Sequence, residues 1–281
     1  MIRHIMADNI TEHVASLCVE ANIIQGEDIR RRMADSLAAE RETLARNTLK
    51  ILLKNADISK EEQIPICQDT GMVVVFVELG QDVHIAGGSL AQAIHDGVAL
   101  GYRRGFLRAS VVADPIERKN TGDNTPAVIH YDIVPGGNLT ITVAPKGFGS
   151  ENKSGVKMLT PADGIDGIEG FVLDTVKAAG PDPCPPLVVG VGVGGTMEKA
   201  ALMAKFALTR PLDRSHPDPF WAAEEARLLD AINGLDIGPA GFGGRTTALG
   251  LNIETYPTHI AGLPVAVNIG CHVTRHGTVV L

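Results

Sequence analysis

The chain has 281 residues, 44% of them apolar, enough for the core of one large α/β domain or two small ones. Its formal net charge of -8 argues against nucleic-acid or membrane-surface partners, yet leaves room for an anionic substrate in a local cationic pocket. The start, MIRHIMADNITEHV, has no apolar h-region, and no apolar run approaches the ~18 residues of a membrane span, so a cytoplasmic protein is expected.

Val14, Leu17, Cys18, Ala21 and Ile24 fall at helical spacing. Leu37, Leu44, Thr48, Ile51 and Leu52 predict a second, longer helix, and Asp57 to Gln63 a polar connection. Met72 to Leu79 (MVVVFVEL) reads as a buried strand between Gly71 and Gly80. Ser89 is an N-cap for a helix carrying Leu90, Ile94, Val98 and Tyr102. Strands over 127–134 and 139–144 are joined by Pro135-Gly136-Gly137-Asn138, which predicts a hairpin. Beyond the glycine-rich loop 146–150, helices are expected over 165–179, 196–208 and 220–232, and strands over 187–193, 249–254 and 264–269. The prediction is one α/β domain over 1–281, with mixed sheets surrounded by helices, a helical N-terminal lobe at 1–60 and a core at 61–281.

Gly190-Val191-Gly192-Val193-Gly194-Gly195 satisfies the dinucleotide pattern G-x-G-x-x-G. That pattern needs a following parallel strand ending in an acidic residue, and Arg210 to Pro217 is no strand, so a tight strand-to-helix turn is the better reading.

Four cysteines are too few for a disulfide framework. Cys18 lies on an apolar helical stripe and reads as core. Cys67, Cys184 and Cys271 each fall in a chain break beside a strand, and prolines rigidify the loop of Cys184. Three such thiols point to a shared metal site. On spacing alone zinc, completed by His272 and His276, stands equal to an iron–sulfur cluster. A cluster on three cysteines leaves one iron open to bind hydroxyl and carboxylate oxygens, which suits removal of water from a hydroxy acid. The polar residues suit the same chemistry. Arg108, Asn152 and Lys153 are candidate carboxylate clamps, and Gly147 and Gly149 let backbone N–H groups approach an anion. Asp69 and His259 are candidate proton carriers.

Pro65-Ile66-Cys67-Gln68-Asp69-Thr70-Gly71, Leu107-Arg108-Ala109-Ser110, Asn120 to Pro126, Lys146 to Ser154, Cys184-Pro185-Pro186 and Gly190 to Glu198 resemble the alpha subunit of class I, iron–sulfur fumarate hydratases. The resemblance implies a [4Fe-4S] cluster on Cys67, Cys184 and Cys271. It implies substrate contacts from Gln68, Asp69, Arg108, Gly147, Ser150, Asn152, Lys153 and Ser154, with His259 as an active-site histidine near the third cysteine. It further implies a separate beta subunit that completes the site, a small dicarboxylate substrate and a higher alpha–beta oligomer. Within the family, the L(+)-tartrate dehydratase alpha subunit is the nearest alternative, and the 146–154 loop favours fumarate. Glu151 puts a negative charge in a loop expected to meet an anion. The rivals from other classes are a structural zinc protein and an iron–sulfur sensor.

Overall fold

The structure, a computed structural model, describes residues 2–281. In chain order its elements are β1 (Arg3–Met6), α1 (Ala7–Ile23), α2 (Glu27–Ala39), α3 (Thr43–Glu62), β2 (Met72–Gly80), β3 (Val83–Ala86), α4 (Leu90–Arg104), β4 (Val128–Val134), β5 (Leu139–Lys146), α5 (Phe148–Glu151), β6 (Gly155–Leu159), α6 (Gly164–Ala179), β7 (Leu187–Gly194), α7 (Met197–Ala207), α8 (Pro219–Asn233), β8 (Ala248–Tyr256), β9 (Leu263–Gly270) and β10 (Gly277–Val280). This is an α/β fold with mixed sheets and a helical N-terminal region. No helix among the described residues is long and apolar enough to cross a membrane.

Backbone contacts divide the chain into two compact units of interleaved segments. The first holds 1–25, 56–148 and 275–281; the second holds 26–55 and 149–274. The N-terminal helical region contributes to both units. Its α1 packs in the first unit, and α2 with most of α3 packs in the second.

In the first unit the sheet order is β10-β5-β2-β4. β2 is central because it is apolar on successive residues: Val73, Val75 and Val77 join one core with Leu139, Ile141 and Val143 of β5, while Val74 and Phe76 are buried on the other face. The expected hairpin between β4 and β5 does not form. β2 inserts between them, parallel to β4 and antiparallel to β5. The turn carbonyls receive the end of β2 instead: Gly80 N donates to Asn138 O at 2.9 Å and Asp82 N to Gly136 O at 3.0 Å. α1 and α4 close this core, and they cross so tightly that a Cβ on Gly97 or Gly101 would lie 2.7 Å from the Val14 Cβ or 2.6 Å from the Ala15 carbonyl. β1 pairs with β3 and β10 with β5. These four-residue strands are too short for alternation to be read.

In the second unit the order is β6-β9-β7-β8. β7 is buried along its whole length. α6 and α8 cover one face through Ile168, Val172, Leu228 and Ile232. α7 lies on the other through Ala200 and Ala204, where α2 and α3 add Ile29, Met33 and Leu49. The glycine pattern serves this packing. A Cβ on Gly190 would meet the Ala204 carbonyl at 2.1 Å, and one on Gly192 the Ala200 carbonyl at 2.1 Å. Arg210 to Pro217 is loop, as expected, and Arg210 is ion-paired to Glu225 and Glu254.

The long second helix of the sequence reading is two helices, α2 and α3, broken at Glu40. Its buried carboxylate accepts N–H groups of Arg41 (2.8 Å), Glu42 (3.1 Å) and Arg245 (2.8 Å). Burial works to raise the Glu40 pKa, but those three backbone donors outweigh it and hold the carboxyl below its ordinary value. The polar connection expected at 57–63 is the last turn of α3, where buried Ser59 donates to Ile64 O at 2.6 Å.

Two outcomes follow. Gly192→Ala drives a methyl into the α7 backbone and should cost about 2–4 kcal/mol in urea unfolding, whereas a purely ligand-binding glycine would leave the midpoint unchanged. Glu40→Ala leaves three N–H groups without their acceptor and should cost about 2–4 kcal/mol at neutral pH. Because the folded pKa is depressed, that stability is present above the unfolded carboxylate value and is lost as pH falls through the folded one. The gap between wild type and Glu40→Ala, measured by denaturation at a series of acidic pH values, should close on that descent.

Candidate active site

Cys67 stands in the loop that enters β2, half-buried, its Sγ 3.5 Å from the side-chain oxygen of exposed Gln68. The next residues are held from every side within the first unit. Asp69 accepts N–H groups with both carboxylate oxygens, from Gly71 at 3.0 Å and from Phe148 at 2.9 Å. Its carbonyl accepts from the buried Arg275 guanidinium at 2.5 Å. Gly147 is required beside it, since a Cβ there would come within 3.1 Å of Asp69 Oδ2. The Thr70 hydroxyl donates to Arg108 O at 2.8 Å, and the Tyr102 hydroxyl lies 2.6 Å from Thr70 O and 3.0 Å from Gly71 O. Burial pushes the Tyr102 phenol pKa well up, so it stays a donor. Asn124, buried in a left-handed conformation, donates to Gly71 O at 3.1 Å and accepts from Ser110 N at 2.7 Å. This scaffold leaves the Arg108 side chain exposed, and among the described residues its guanidinium makes no hydrogen bond or ion pair.

In the second unit, strand register brings Cys184 and Cys271 to the same end of the sheet. β7 begins three residues after Cys184, β9 ends one residue before Cys271, and Val188 is opposite Gly270. His272 ties the two loops together: its backbone N donates to Cys184 O at 3.4 Å, and its Nδ1 lies 2.9 Å from the same oxygen. Cys184 is exposed and in the left-handed region at φ 57, a conformation that a cysteine adopts only when its surroundings enforce it. Cys271 opens a turn whose carbonyl accepts both the N–H and the hydroxyl of Thr274, at 2.9 and 2.8 Å. No three His, Cys, Asp or Glu side chains among the described residues are arranged to hold one metal ion.

The 150–154 segment is a pinned turn. Ser150 is buried and its carbonyl accepts Lys153 N at 3.1 Å. The Ser154 hydroxyl accepts Ile269 N at 3.0 Å, so it anchors the turn to β9. Lys153 is ion-paired to Asp182 at 2.5 Å, beside Cys184. Asn152 is exposed. Glu151 is compensated, by an ion pair with Lys205 and by Asn268 donating to its other oxygen at 3.1 Å.

His259 is not beside the third cysteine. It follows β8 and precedes β9, so it and Cys271 stand at opposite ends of β9, an eight-residue strand of roughly 26 Å. It lines grooves there with Gly195, Lys199 and Tyr256. His259 can reach no cysteine of its own unit.

Sequence reasoning missed Arg275, Tyr102, Asn124, Asn268 and Lys205. A buried arginine and a buried asparagine carry no local signal of their partners. Cys18, assigned to the core, is fully buried, and burial pushes its thiol up to about 12. Cys67, Cys184 and Cys271 are each at least partly exposed.

The family model described as fumarate hydratase (Fumerase) matches residues 11–280. The chain is 40% identical over 272 residues to a putative L(+)-tartrate dehydratase subunit alpha of Methanocaldococcus jannaschii, covering 95% of both chains. It is 31% identical over 276 residues to an L(+)-tartrate dehydratase subunit alpha of Escherichia coli, covering 96% of this chain and 90% of that one. A protein of the same name from Shigella sonnei is 30% identical over 279 residues, 98% and 91% of the two chains.

Brief alkylation of the folded chain in the presence of a chelator should label Cys184 fastest and Cys67 and Cys271 next, leaving Cys18 unmodified until denaturant is added. Peptide mass mapping reads the order, and early labelling of Cys18 would refute the burial argument.

Proposed function

The chain belongs to the fumarate hydratase (Fumerase) family of hydro-lyases, and on that premise we propose that it is the alpha subunit of an enzyme that reversibly removes water from a four-carbon hydroxy dicarboxylate, with (S)-malate and fumarate as its pair. The observation that carries the reading is the contrast among the cysteines. One is sealed in the core as a neutral thiol, and three stand partly exposed in rigid loops. That donor set fits a [4Fe-4S] cluster with Cys67, Cys184 and Cys271 as thiolate ligands. When bound, such a cluster supplies an open iron that acts as a Lewis acid toward the substrate hydroxyl.

The chain's own residues do the rest. Arg108 offers a two-pronged contact to a substrate carboxylate, and Gln68 and Asn152 add exposed amide donors. Asp69 Oδ1 and Oδ2, oriented by the Gly71 and Phe148 N–H groups, handle the proton at the carbon beside the departing hydroxyl. Loss of the C3 proton and the C2 hydroxyl of malate yields fumarate and water. Lys153 and Ser154 position the turn rather than meet the substrate, because both are already engaged. A separate beta subunit completes the site, in keeping with the subunit names of the relatives. Those names also favour a second reading, dehydration of L(+)-tartrate to oxaloacetate through its enol.

The test is anaerobic. The chain, co-expressed with a candidate beta subunit, is assayed for water addition to fumarate and for oxaloacetate from L(+)-tartrate, and the ratio of kcat/KM values decides the substrate. Iron and acid-labile sulfide are measured on the same sample. Cys184→Ser should strip most of the iron, and Arg108→Lys should lower kcat/KM about 100-fold while leaving iron content unchanged. One equivalent of zinc with no iron, or full activity in Cys184→Ser, would sink the proposal.

A further inference from the structure

β4 is an open sheet edge. It pairs only with β2, and among the described residues no strand lies beyond it. Native edges are usually blunted with proline, lysine or a bulge. β4 has none of these. Its sequence is VIHYDIV, and Val128, Tyr131 and Ile133 are 37%, 50% and 66% exposed.

The backbone polarity of this edge can be read. Gln81 N donates to Val134 O, so Val134 turns its polar groups toward β2, as does every second residue before it. Ile129, Tyr131 and Ile133 therefore point their N–H and C=O groups outward. The sequence is also a near-palindrome about Tyr131. Reversed, it places valine on valine, isoleucine on isoleucine and tyrosine on tyrosine, with one substitution: histidine falls on aspartate.

We propose that β4 is the site at which two copies of this chain join, antiparallel about a two-fold axis through Tyr131, in one continuous sheet. The three outward residues of each copy then exchange six backbone hydrogen bonds. His130 lies directly opposite Asp132 of the second copy, in the pair type whose side chains approach most closely. Charge complementarity favours a second copy over an unrelated strand. Within its own sheet Asp132 is in register with Glu78, a like charge. The second copy's histidine supplies the opposing group. His130 is already oriented for it by stacking on Phe76, with ring centroids 5.6 Å apart. The symmetry makes every contact occur twice, as an isologous interface requires. One strand per copy buries less than the ~1,600 Å² of a standard interface, so the dimer is reversible. The inference is independent of the catalytic reading.

Sedimentation velocity of the full-length chain across a concentration series provides the test. Wild type should show a reversible monomer–dimer equilibrium. His130→Asp sets aspartate against aspartate twice and should weaken it about tenfold or more. Asp132→His should weaken it as well. The double variant His130→Asp/Asp132→His rebuilds the same pairs with partners exchanged and should restore the wild-type constant, which no folding defect would do. Ile133→Lys, at a side chain already exposed, should abolish the dimer with an unchanged melting curve. A wild-type chain that stays monomeric, a dimer indifferent to His130→Asp, or a double variant that does not recover overturns the proposal. So does an edge that Ile133→Lys closes to the beta subunit while the chain alone remains monomeric.

Discussion

The register of β7 against β9 is the constraint on which the second unit depends. Val188 opposite Gly270 sets Cys184 and Cys271 at one sheet end and sends His259 to the other. A slip of one residue would turn every side chain of β9 to the wrong face and break the paired contacts of His272 with the Cys184 carbonyl. Glycine makes this register stable. Gly190 and Gly192 let α7 approach until only a hydrogen fits between helix carbonyl and strand, and β7 is then locked from that side as well. A pattern that elsewhere approaches a pyrophosphate is used here for helix–strand contact, so the same spacing gives two functions according to what the missing Cβ would have met.

The first unit solves a different problem. A loop with little regular structure must hold Cys67, Gln68 and Asp69 in one arrangement. Thr70 and Gly71 carbonyls, the Asp69 carbonyl and both Asp69 carboxylate oxygens all have named partners: Tyr102, Asn124, Arg275, Phe148 and Gly71. Buried donors of this kind are costly if left unmade, so each one disfavours alternative loop conformations. The rigidity is bought outside the loop itself, from α4, from the segment before β4 and from residue 275.

Most of the helices and the long strands could be read from periodicity, because a stripe of Val14, Cys18 and Ala21 or a run such as MVVVFVEL has one physical use. Strand order could not. The glycine turn at 135–138 looks like a hairpin locally, and only the need of β2 to bury both faces puts it between β4 and β5. The helix break at Glu40 was hidden because its third donor, Arg245, lies 205 residues away. In the site, motif residues were legible because their local sequence carries the resemblance. The residues that orient them were not. Tyr102 falls on the apolar stripe of its helix and Arg275 has no local pattern to mark it, and their hydrogen bonds exist only in three dimensions. Glu151 seemed a misplaced charge until Lys205 and Asn268 were seen to balance it.

The groups assigned to the substrate divide into two physical classes, and the division bears on why a partner subunit belongs in the reading. Asp69, Ser154 and Lys153 are engaged by neighbours. Gln68, Arg108 and Asn152 are exposed. An exposed arginine holds a carboxylate weakly, because water screens it and the side chain must be ordered on binding. Removal of hydroxide from a dicarboxylate needs the reverse, a site from which water is excluded and in which fixed dipoles act at low dielectric. Among the described residues nothing covers these three side chains. On the proposed reading the cover arrives with another chain, and the energy of that docking converts exposed hydrogen-bonding groups into a binding site of useful strength.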